Sequence, residues 1–224
     1  AQIENKQQLY QAIFKRSIIL FLLGVALNLF PYFNFLNVRI CGVLQRIALC
    51  YFSVALIYLN TSWRTQCFIF VTILLGYWFF LTQVPVPGQV GDPLEPMSSW
   101  NAYIDQCVMT LSRLRNKPFD PEGLLSTFPA IATTLMGVLV GQWLVSKQSK
   151  KTHLIGMLLG AFILLVSGWL WAYSFPINKN LWTSSYVLWT GGLSILVFAL
   201  CFLSIDILDY KKRATFLIIF GMNA

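Results

Sequence analysis

Two carboxylates stand at the mouth of an apolar run in the segment FDPEGLLST, where Asp120 and Glu122 flank Pro121. As helix signals, Asp120 is a good N-cap, Pro121 suits the first helical position, and Glu122 complements the helix dipole. Alternatively, the two carboxylates face a polar site at a membrane surface, where they could hold a cationic group. The choice between these interpretations depends on the rest of the chain.

An arginine lies inside a second apolar run, VRICGVLQRIALCYF. Arg46 follows Arg39 by seven residues, so one helix would carry both on one face, with Gly42 between them and Arg46 about 10 Å below the helix end. An arginine at that depth costs at least about 2.5–3.5 kcal/mol unless it faces a partner or a cavity. An interhelical hydrogen bond or snorkelling would satisfy it, but we favour a hydrated cavity, the usual setting of an intramembrane charge. Gln45 points away from that face and suits an interhelical hydrogen bond.

A third polar segment, INKNLWTSSYV, supplies Asn178, Lys179 and Asn180. Taken alone, the segment favours an interfacial turn that Trp182 anchors in the membrane surface and in which Thr183 caps the following helix. Asparagine and lysine also bind sugar hydroxyls or phosphates well, so a ligand role is the alternative.

The remaining reactive residue types follow no catalytic pattern. The single histidine, His153, comes after the basic stretch SKQSKK, so we expect it to lie in a solvated basic flank. The five cysteines have neither the spacing of a metal site nor that of a disulfide framework. The sequence contains no P-loop, dinucleotide fingerprint, zinc motif or nucleophilic-serine elbow. We therefore predict no metal site.

Composition identifies the elements that position these residues. Hydrophobic residues make up 57% of the 224 residues and charged residues 11%, against about 25% in a soluble domain. The net charge of +8 falls in short clusters between apolar runs, which argues against a nucleic-acid partner. We predict an all-α polytopic membrane protein, one transmembrane domain over residues 1–224, with a truncated seventh span from Thr215. The six complete spans are predicted at Ala12–Phe30, Ile40–Leu59, Cys67–Leu81, Leu124–Val145, Leu154–Tyr173 and Ser184–Ser204.

The distribution of basic residues predicts the orientation of these spans. If the N-terminus is cytoplasmic, ten lysines and arginines fall on the cytoplasmic side and five on the other. This bias makes the segment from Thr82 to Glu122 a long external loop. Such a loop is long enough to be functional, and within it we expect a surface helix over Ser98–Leu114.

Five blocks in order resemble the heparan-α-glucosaminide N-acetyltransferase family, bacterial-type members included: VRICGVLQRIALCYF, VPVPG, FDPEGLLST, INKNLWTSSYV and GMNA. The likeness covers nearly the whole chain from Arg16 onward. It implies a multi-span membrane acyltransferase that moves acetyl from cytoplasmic acetyl-CoA across the membrane to the amino group of an amino sugar. Such a reaction needs a base for the sugar amine, donors for the oxyanion, and cations for the CoA phosphates.

The resemblance also bears on individual residues. The family's catalytic histidine belongs to a His-Trp-Asn-Gly-like motif that this sequence lacks, and His153 matches it in neither context nor membrane side. The catalytic residue is therefore unknown, and we expect the chain to be an internal fragment. In the family-like blocks the polar residues would line or brace the acceptor-sugar pocket, which makes the substrate-binding candidates Arg46, Asp120, Glu122, Asn178, Lys179 and Asn180. Asp120 or Glu122 could pair with the sugar ammonium, and Arg46 or Lys179 with an acidic group.

A different class of protein fits the same pattern: a transporter or permease-like protein that binds a sugar without chemistry. A transporter typically has broken helices paired across an internal repeat, and the sequence has no convincing repeat. Either class of protein would lie in a lipid bilayer. The sequence is also compatible with a homodimer. Compact spans without long glycosylated loops favour a bacterial inner membrane.

Overall fold

The computed structural model describes residues 6–88, 91–109, 113–115, 118–210 and 221. Within them the chain forms seven α-helices: α1 Lys6–Leu29, α2 Val43–Asn60, α3 Trp63–Gln83, α4 Trp100–Val108, α5 Thr127–Val145, α6 Lys150–Trp171 and α7 Ser184–Phe202. A π-helical turn, Leu203–Ile207, continues α7. Every helix except α4 is long and apolar enough to cross a membrane. The predicted polytopic all-α architecture is therefore confirmed, while the seventh span predicted from Thr215 lies outside the described residues.

Serine hydroxyls set the start of three helices. Ser62, Ser99 and Ser149 precede α3, α4 and α6, and each Oγ accepts a hydrogen bond from the backbone N–H three residues later, at 3.4, 3.4 and 3.2 Å. The surface helix predicted over Ser98–Leu114 is present as the shorter α4. One face of α4 is buried against the bundle, so the helix is packed on the spanning helices and does not lie free on the surface.

The six spanning helices pack as two hairpins and a central helix, α5, with α3 beside α5. α1 packs on α2, α6 packs on α7, and α5 contacts α2, α3, α6 and α7. The α6–α7 contact depends on small residues: a Cβ at Gly168 would lie 2.8 Å from Trp189 N, and one at Gly192 would lie 3.0 Å from Ala161 O. Glycine at both places lets the two backbones approach closely, as is common between membrane helices.

Three connections meet at one end of the bundle, which we call the loop end: residues 30–42, 84–126 and 172–183. The Arg39 guanidinium of the first connection reaches the Asp120 carboxylate of the second at 2.6 Å. The Tyr77 hydroxyl of α3 donates to the Leu181 carbonyl of the third at 2.5 Å. These contacts gather polar groups that lie far apart in sequence.

The other connections lie at the opposite end of the bundle. There Tyr10 Oη donates to Asn60 Oδ1 at 2.7 Å, and Gln142 Nε2 donates to Gln66 Oε1 at 2.6 Å. Lys150 Nζ donates to the carbonyl oxygen of Asp206 at 2.7 Å. The chain thus alternates between the two ends as successive spans require. Which end faces the cytoplasm stays a prediction from the charge bias.

Candidate substrate-binding site

A cavity of about 550 Å³ lies at the loop end between α2, α5 and the α6–α7 connection. Its wall contains three of the six predicted substrate-binding residues: Arg46 from α2, Glu122 from the turn before α5, and Lys179 from the α6–α7 connection. Thr133 of α5 and the Trp182 ring add further polar and aromatic surface, and apolar side chains of α2 and α5 complete the wall. Aromatic faces beside a few convergent polar groups are typical of small-molecule sites.

Arg46 occupies the centre of the polar wall and is only 6% exposed. Its Nη2 donates to the carbonyl oxygens of Pro121, at 2.9 Å, and Gly123, at 3.4 Å, and to Ser126 Oγ. Its guanidinium carbon lies 4.9 Å from the centroid of the Trp182 ring, within cation–π range. Its Nε and Nη1 are buried and have no hydrogen-bond partner in the part of the chain that the structure describes. Buried unused donors are costly, so these two nitrogens would gain free energy from any acceptor that reached them.

A partly buried charge cluster, with a fully buried carboxylate at its centre, lies behind the cavity wall. Arg39 donates from Nε to Asp120 Oδ2 at 2.8 Å and from Nη2 to Oδ1 at 2.6 Å, and Nη2 also contacts Glu122 Oε2. Asp120 is 0% exposed, and burial alone would raise its pKa. Hydrogen bonds from Arg39 and from the backbone N–H groups of Glu122 and Arg115 outweigh burial, so the pKa of Asp120 is lowered. Asp120 is thus ionised and supports the cavity wall without lining it, whereas Glu122 lines the cavity.

Two predictions about helix ends are wrong. Asp120 does not cap α5, because α5 begins at Thr127 and Asp120 opens a turn that the Gly123 N–H closes on the Asp120 carbonyl at 2.8 Å. Arg39 does not share a helix with Arg46, because α2 begins at Val43 and Arg39 lies in the preceding connection. Both errors have one physical cause: the carboxylate and the guanidinium pair with each other across 81 residues instead of serving their local helices.

Asp105 is a functional candidate that the sequence reasoning missed. It lies on α4 with 0% exposure and accepts hydrogen bonds from the backbone N–H groups of Asp120, at 3.0 Å, and Leu124, at 3.1 Å. Burial raises the pKa of Asp105 to about 6, although these two hydrogen bonds oppose the rise. A Cβ at Gly123 would lie 2.6 Å from Asp105 Oδ1, so only glycine allows this approach. No local sequence pattern predicts these hydrogen bonds, because they join α4 to a turn that comes later in the chain.

The Asn178 side chain shapes the α6–α7 connection from within. Its Oδ1 accepts hydrogen bonds from the backbone N–H groups of Asn180, at 2.9 Å, and Leu181, at 3.4 Å. Thr183 precedes α7 as predicted, but its hydroxyl makes no cap bond and instead donates to the Pro176 carbonyl at 2.9 Å. The asparagine and the threonine therefore fold the connection, which sets the position of the residues between them.

Lys179 and Trp182 are the residues that this connection presents to the cavity. Trp182 has a φ of 54°, a left-handed conformation that non-glycine residues seldom adopt, and its Nε1 donates to Thr133 Oγ1 at 3.2 Å. Lys179 is exposed at the rim. Asn180 is also exposed and lies outside the cavity wall. Of the predicted Asn-Lys-Asn group, the lysine alone reaches the cavity.

The expectation of a solvated His153 is wrong. The side chain lies at the opposite end, 7% exposed, with its ring centroid 5.7 Å from that of Trp143. Its Nε2 lies 3.2 Å from Ser146 Oγ. An apolar helix face favours packing of the ring under the tryptophan despite the neighbouring lysines. His153 is therefore a packed residue that lies far along α6 from the cavity.

The cavity's chemistry is that of an oxygen- and nitrogen-rich ligand. Arg46 and Lys179 are donors, Glu122 is an acceptor, and the Trp182 ring offers a flat apolar face of the kind that sugars stack on. Among the described residues, no group of three histidine, cysteine or acidic side chains could hold a metal ion.

Comparison with known proteins gives the family. A family model described as heparan-alpha-glucosaminide N-acetyltransferase, catalytic, matches residues 2–173. The human heparan-alpha-glucosaminide N-acetyltransferase is 28% identical over a match that covers 76% of this chain and 34% of the human protein. The mouse protein of the same name is 29% identical over 98% of this chain and 42% of its own length. The chain thus spans less than half the length of these relatives, and it belongs to the heparan-α-glucosaminide N-acetyltransferase family.

Proposed function

We propose that the complete protein transfers acetyl from acetyl-CoA to the amino group of an amino sugar, and that the loop-end cavity holds the acceptor. One observation carries the proposal: Arg46 lines a cavity together with Glu122 and Trp182, and its Nε and Nη1 are buried with no hydrogen-bond partner among the described residues. Sugar hydroxyls or an acidic substituent would satisfy those donors. The Glu122 carboxylate would pair with the sugar ammonium, Asp120 would hold Arg39 behind it, and Lys179 would close the rim.

The reaction itself is an acyl transfer from sulfur to nitrogen. The sugar amine attacks the thioester carbonyl, a carbon–nitrogen bond forms, and the carbon–sulfur bond breaks to release CoA as a thiol. The amine gives up a proton to a base, and the tetrahedral oxyanion needs donors. We assign no catalytic residue to this chain, because His153 is packed at the far end from the acceptor cavity.

A second feature supports transfer across the membrane. A groove of about 340 Å³ runs along α5 beside α7, from Thr133, which also lines the cavity, to Leu144 near the opposite end. Gly137 and Gly141 line it, and an added Cβ at either would meet open space. We propose that an acetyl donor from the opposite end reaches the acceptor along this groove. Exposed basic residues at that end, Arg64, Lys147 and Lys151 among them, suit the CoA phosphates.

The charge bias gives the proposed setting. With the loop end outside and the N-terminus cytoplasmic, the lysine-rich end faces the donor and the cavity faces the acceptor. We place this arrangement in a bacterial inner membrane, with the amino sugar as part of the cell envelope.

The test is release of free CoA thiol when acetyl-CoA and glucosamine are added to the purified complete protein. We expect thiol release that depends on both substrates, and in Arg46→Lys a KM for glucosamine at least roughly tenfold higher, because lysine cannot reproduce the guanidinium fork. Arg113→Lys makes the same exchange away from the cavity and should behave like the wild type. Glucosamine uptake into vesicles without thiol release would instead identify a transporter.

A further inference from the structure

We propose that Asp105 is a positioning residue for the acceptor cavity. Its carboxylate, carried by α4, holds the turn from Asp120 to Leu124 in the conformation that presents Glu122 and two carbonyl oxygens to the cavity wall. The consequence for substrate affinity rests on the proposed function. The consequence for the turn itself does not, and the two are tested separately.

The clamp is visible in the hydrogen bonds of α4 and the turn. Each Asp105 oxygen accepts one backbone N–H, Oδ2 from Asp120 at 3.0 Å and Oδ1 from Leu124 at 3.1 Å. The two N–H groups are the first and last of the turn, so the carboxylate spans it. The glycine at position 123 lets the backbone lie directly against the carboxylate. A charged acceptor makes stronger hydrogen bonds than a neutral one, which suits a fixed geometry.

The held turn supplies the contacts that orient Arg46. The carbonyl oxygens of Pro121 and Gly123 both accept from Arg46 Nη2, and Glu122 lines the cavity from the same turn. A rotation of the turn would therefore move an acidic side chain and release the arginine at once. Asp105 touches neither the cavity nor the proposed substrate. Its influence passes through the backbone of the turn.

The helix α4 also has docking contacts that do not involve Asp105. Tyr77 Oη lies 3.3 Å from Asn101 Oδ1, and Trp100 Nε1 donates to the Val84 carbonyl at 2.8 Å. These neutral contacts join α4 to α3 and its C-terminal extension. Burying an additional carboxylate is expensive unless hydrogen bonds satisfy it, and both of its satisfying bonds go to the turn. The carboxylate is thus specific to holding the turn.

The first measurement is hydrogen exchange of the peptide covering residues 118–126 in the purified complete protein. In Asp105→Asn an NH₂ group replaces one acceptor, so one of the two clamped N–H groups loses its partner. We expect exchange of this peptide to rise at least tenfold, with α3 and α5 unchanged. Glu95→Gln removes an exposed carboxylate from the same loop and should leave exchange at the wild-type rate.

The second measurement separates positioning from a general loss of folded protein. If Asp105 positions the cavity wall, Asp105→Asn should raise KM for glucosamine roughly tenfold while kcat per folded molecule stays within about twofold. A merely structural role would lower the amount of active protein and leave KM unchanged. Gly123→Ala disturbs the same contact from the side of the turn, because the added Cβ would clash with the Asp105 carboxylate and push the turn away from it. This variant should therefore raise KM in the same way.

Each outcome has a definite meaning. Unchanged exchange in both variants overturns the clamp, and lost activity at an unchanged KM overturns the positioning role of Asp105 for the cavity. A wild type that releases no thiol with any amino sugar contradicts the acetyltransferase proposal, and the exchange measurement then decides the clamp by itself. If Asp105→Asn does not fold, the comparison of Gly123→Ala with the wild type gives the same readouts.

Discussion

At the loop end, the buried Asp120 carboxylate and the partly buried Arg39 and Glu122 join two connections through charged groups, whereas at the opposite end Gln66 and Gln142 join α3 to α5 through a neutral amide pair at 2.6 Å. The loop end also buries Asp105 and Arg46. The described basic residues of the opposite end, such as Lys147, are exposed. Both ends close the same bundle, so closure alone does not require buried charge.

The difference shows where rigidity is needed. A buried ion pair adds little net stability, because desolvation offsets the attraction, but breaking one leaves an uncompensated charge. Several buried charged groups at one end of the bundle therefore hold their atoms in fixed positions, but their desolvation costs free energy. At the loop end, the fixed atoms are those that hold Arg46 and Glu122 against the cavity.

The largest expected effect comes from removing Arg39. Arg39→Ala leaves Asp120 buried without its cation and should lower the free energy of unfolding by about 3–5 kcal/mol. Gln142→Ala at the opposite end removes one neutral hydrogen bond from Gln66 and should cost about 1 kcal/mol. Denaturant or thermal unfolding of the purified complete protein measures both. Equal losses at the two ends would contradict the contrast between charged and neutral closure.

A pH effect of intermediate size should separate Asp105 from Asp120. Because the folded pKa of Asp105 is raised to about 6, its contribution to stability is present below about pH 4 and is lost as pH rises through 6. The difference in unfolding free energy between wild type and Asp105→Asn should therefore fall by up to about 3 kcal/mol from pH 4 to pH 7. The pKa of Asp120 is lowered, so its contribution is lost on acidification instead. Parallel stability curves for the two proteins would refute this assignment.

The smallest effects come from added methyl groups. Gly123→Ala places a Cβ against the held Asp105 carboxylate and should destabilise the protein by about 1–3 kcal/mol. Gly156→Ala at the opposite end meets Trp143, at 2.7 Å from Nε1, and should cost less because this half-exposed ring can move toward lipid. Gly160→Ala meets nothing within 4 Å and serves as the neutral control. A larger loss in Gly156→Ala than in Gly123→Ala would reverse the comparison.

Sequence patterns predicted the spans because continuous apolar runs of bilayer length have few other uses. They also predicted that Arg46, Glu122 and Lys179 lie at the same end, since each polar block follows or enters a span on that side. They did not predict that the Asp105 carboxylate accepts a hydrogen bond from the Asp120 backbone N–H, because a contact between distant residues leaves no local periodicity. The error over His153 has a similar cause, because its ring packs against Trp143 and Ser146, which its basic neighbours in sequence do not reveal.

The cavity is walled by three regions that the chain brings together only on complete folding: α2, the segment entering α5, and the α6–α7 connection. A small molecule seated there would tie all three regions to one another, and its binding free energy would add to that of folding. At a concentration of about 100 times its Kd, such a molecule raises stability by about 2.7 kcal/mol. A panel of amino sugars ranked by melting temperature would therefore test the proposed acceptor role of the cavity without an assay of turnover.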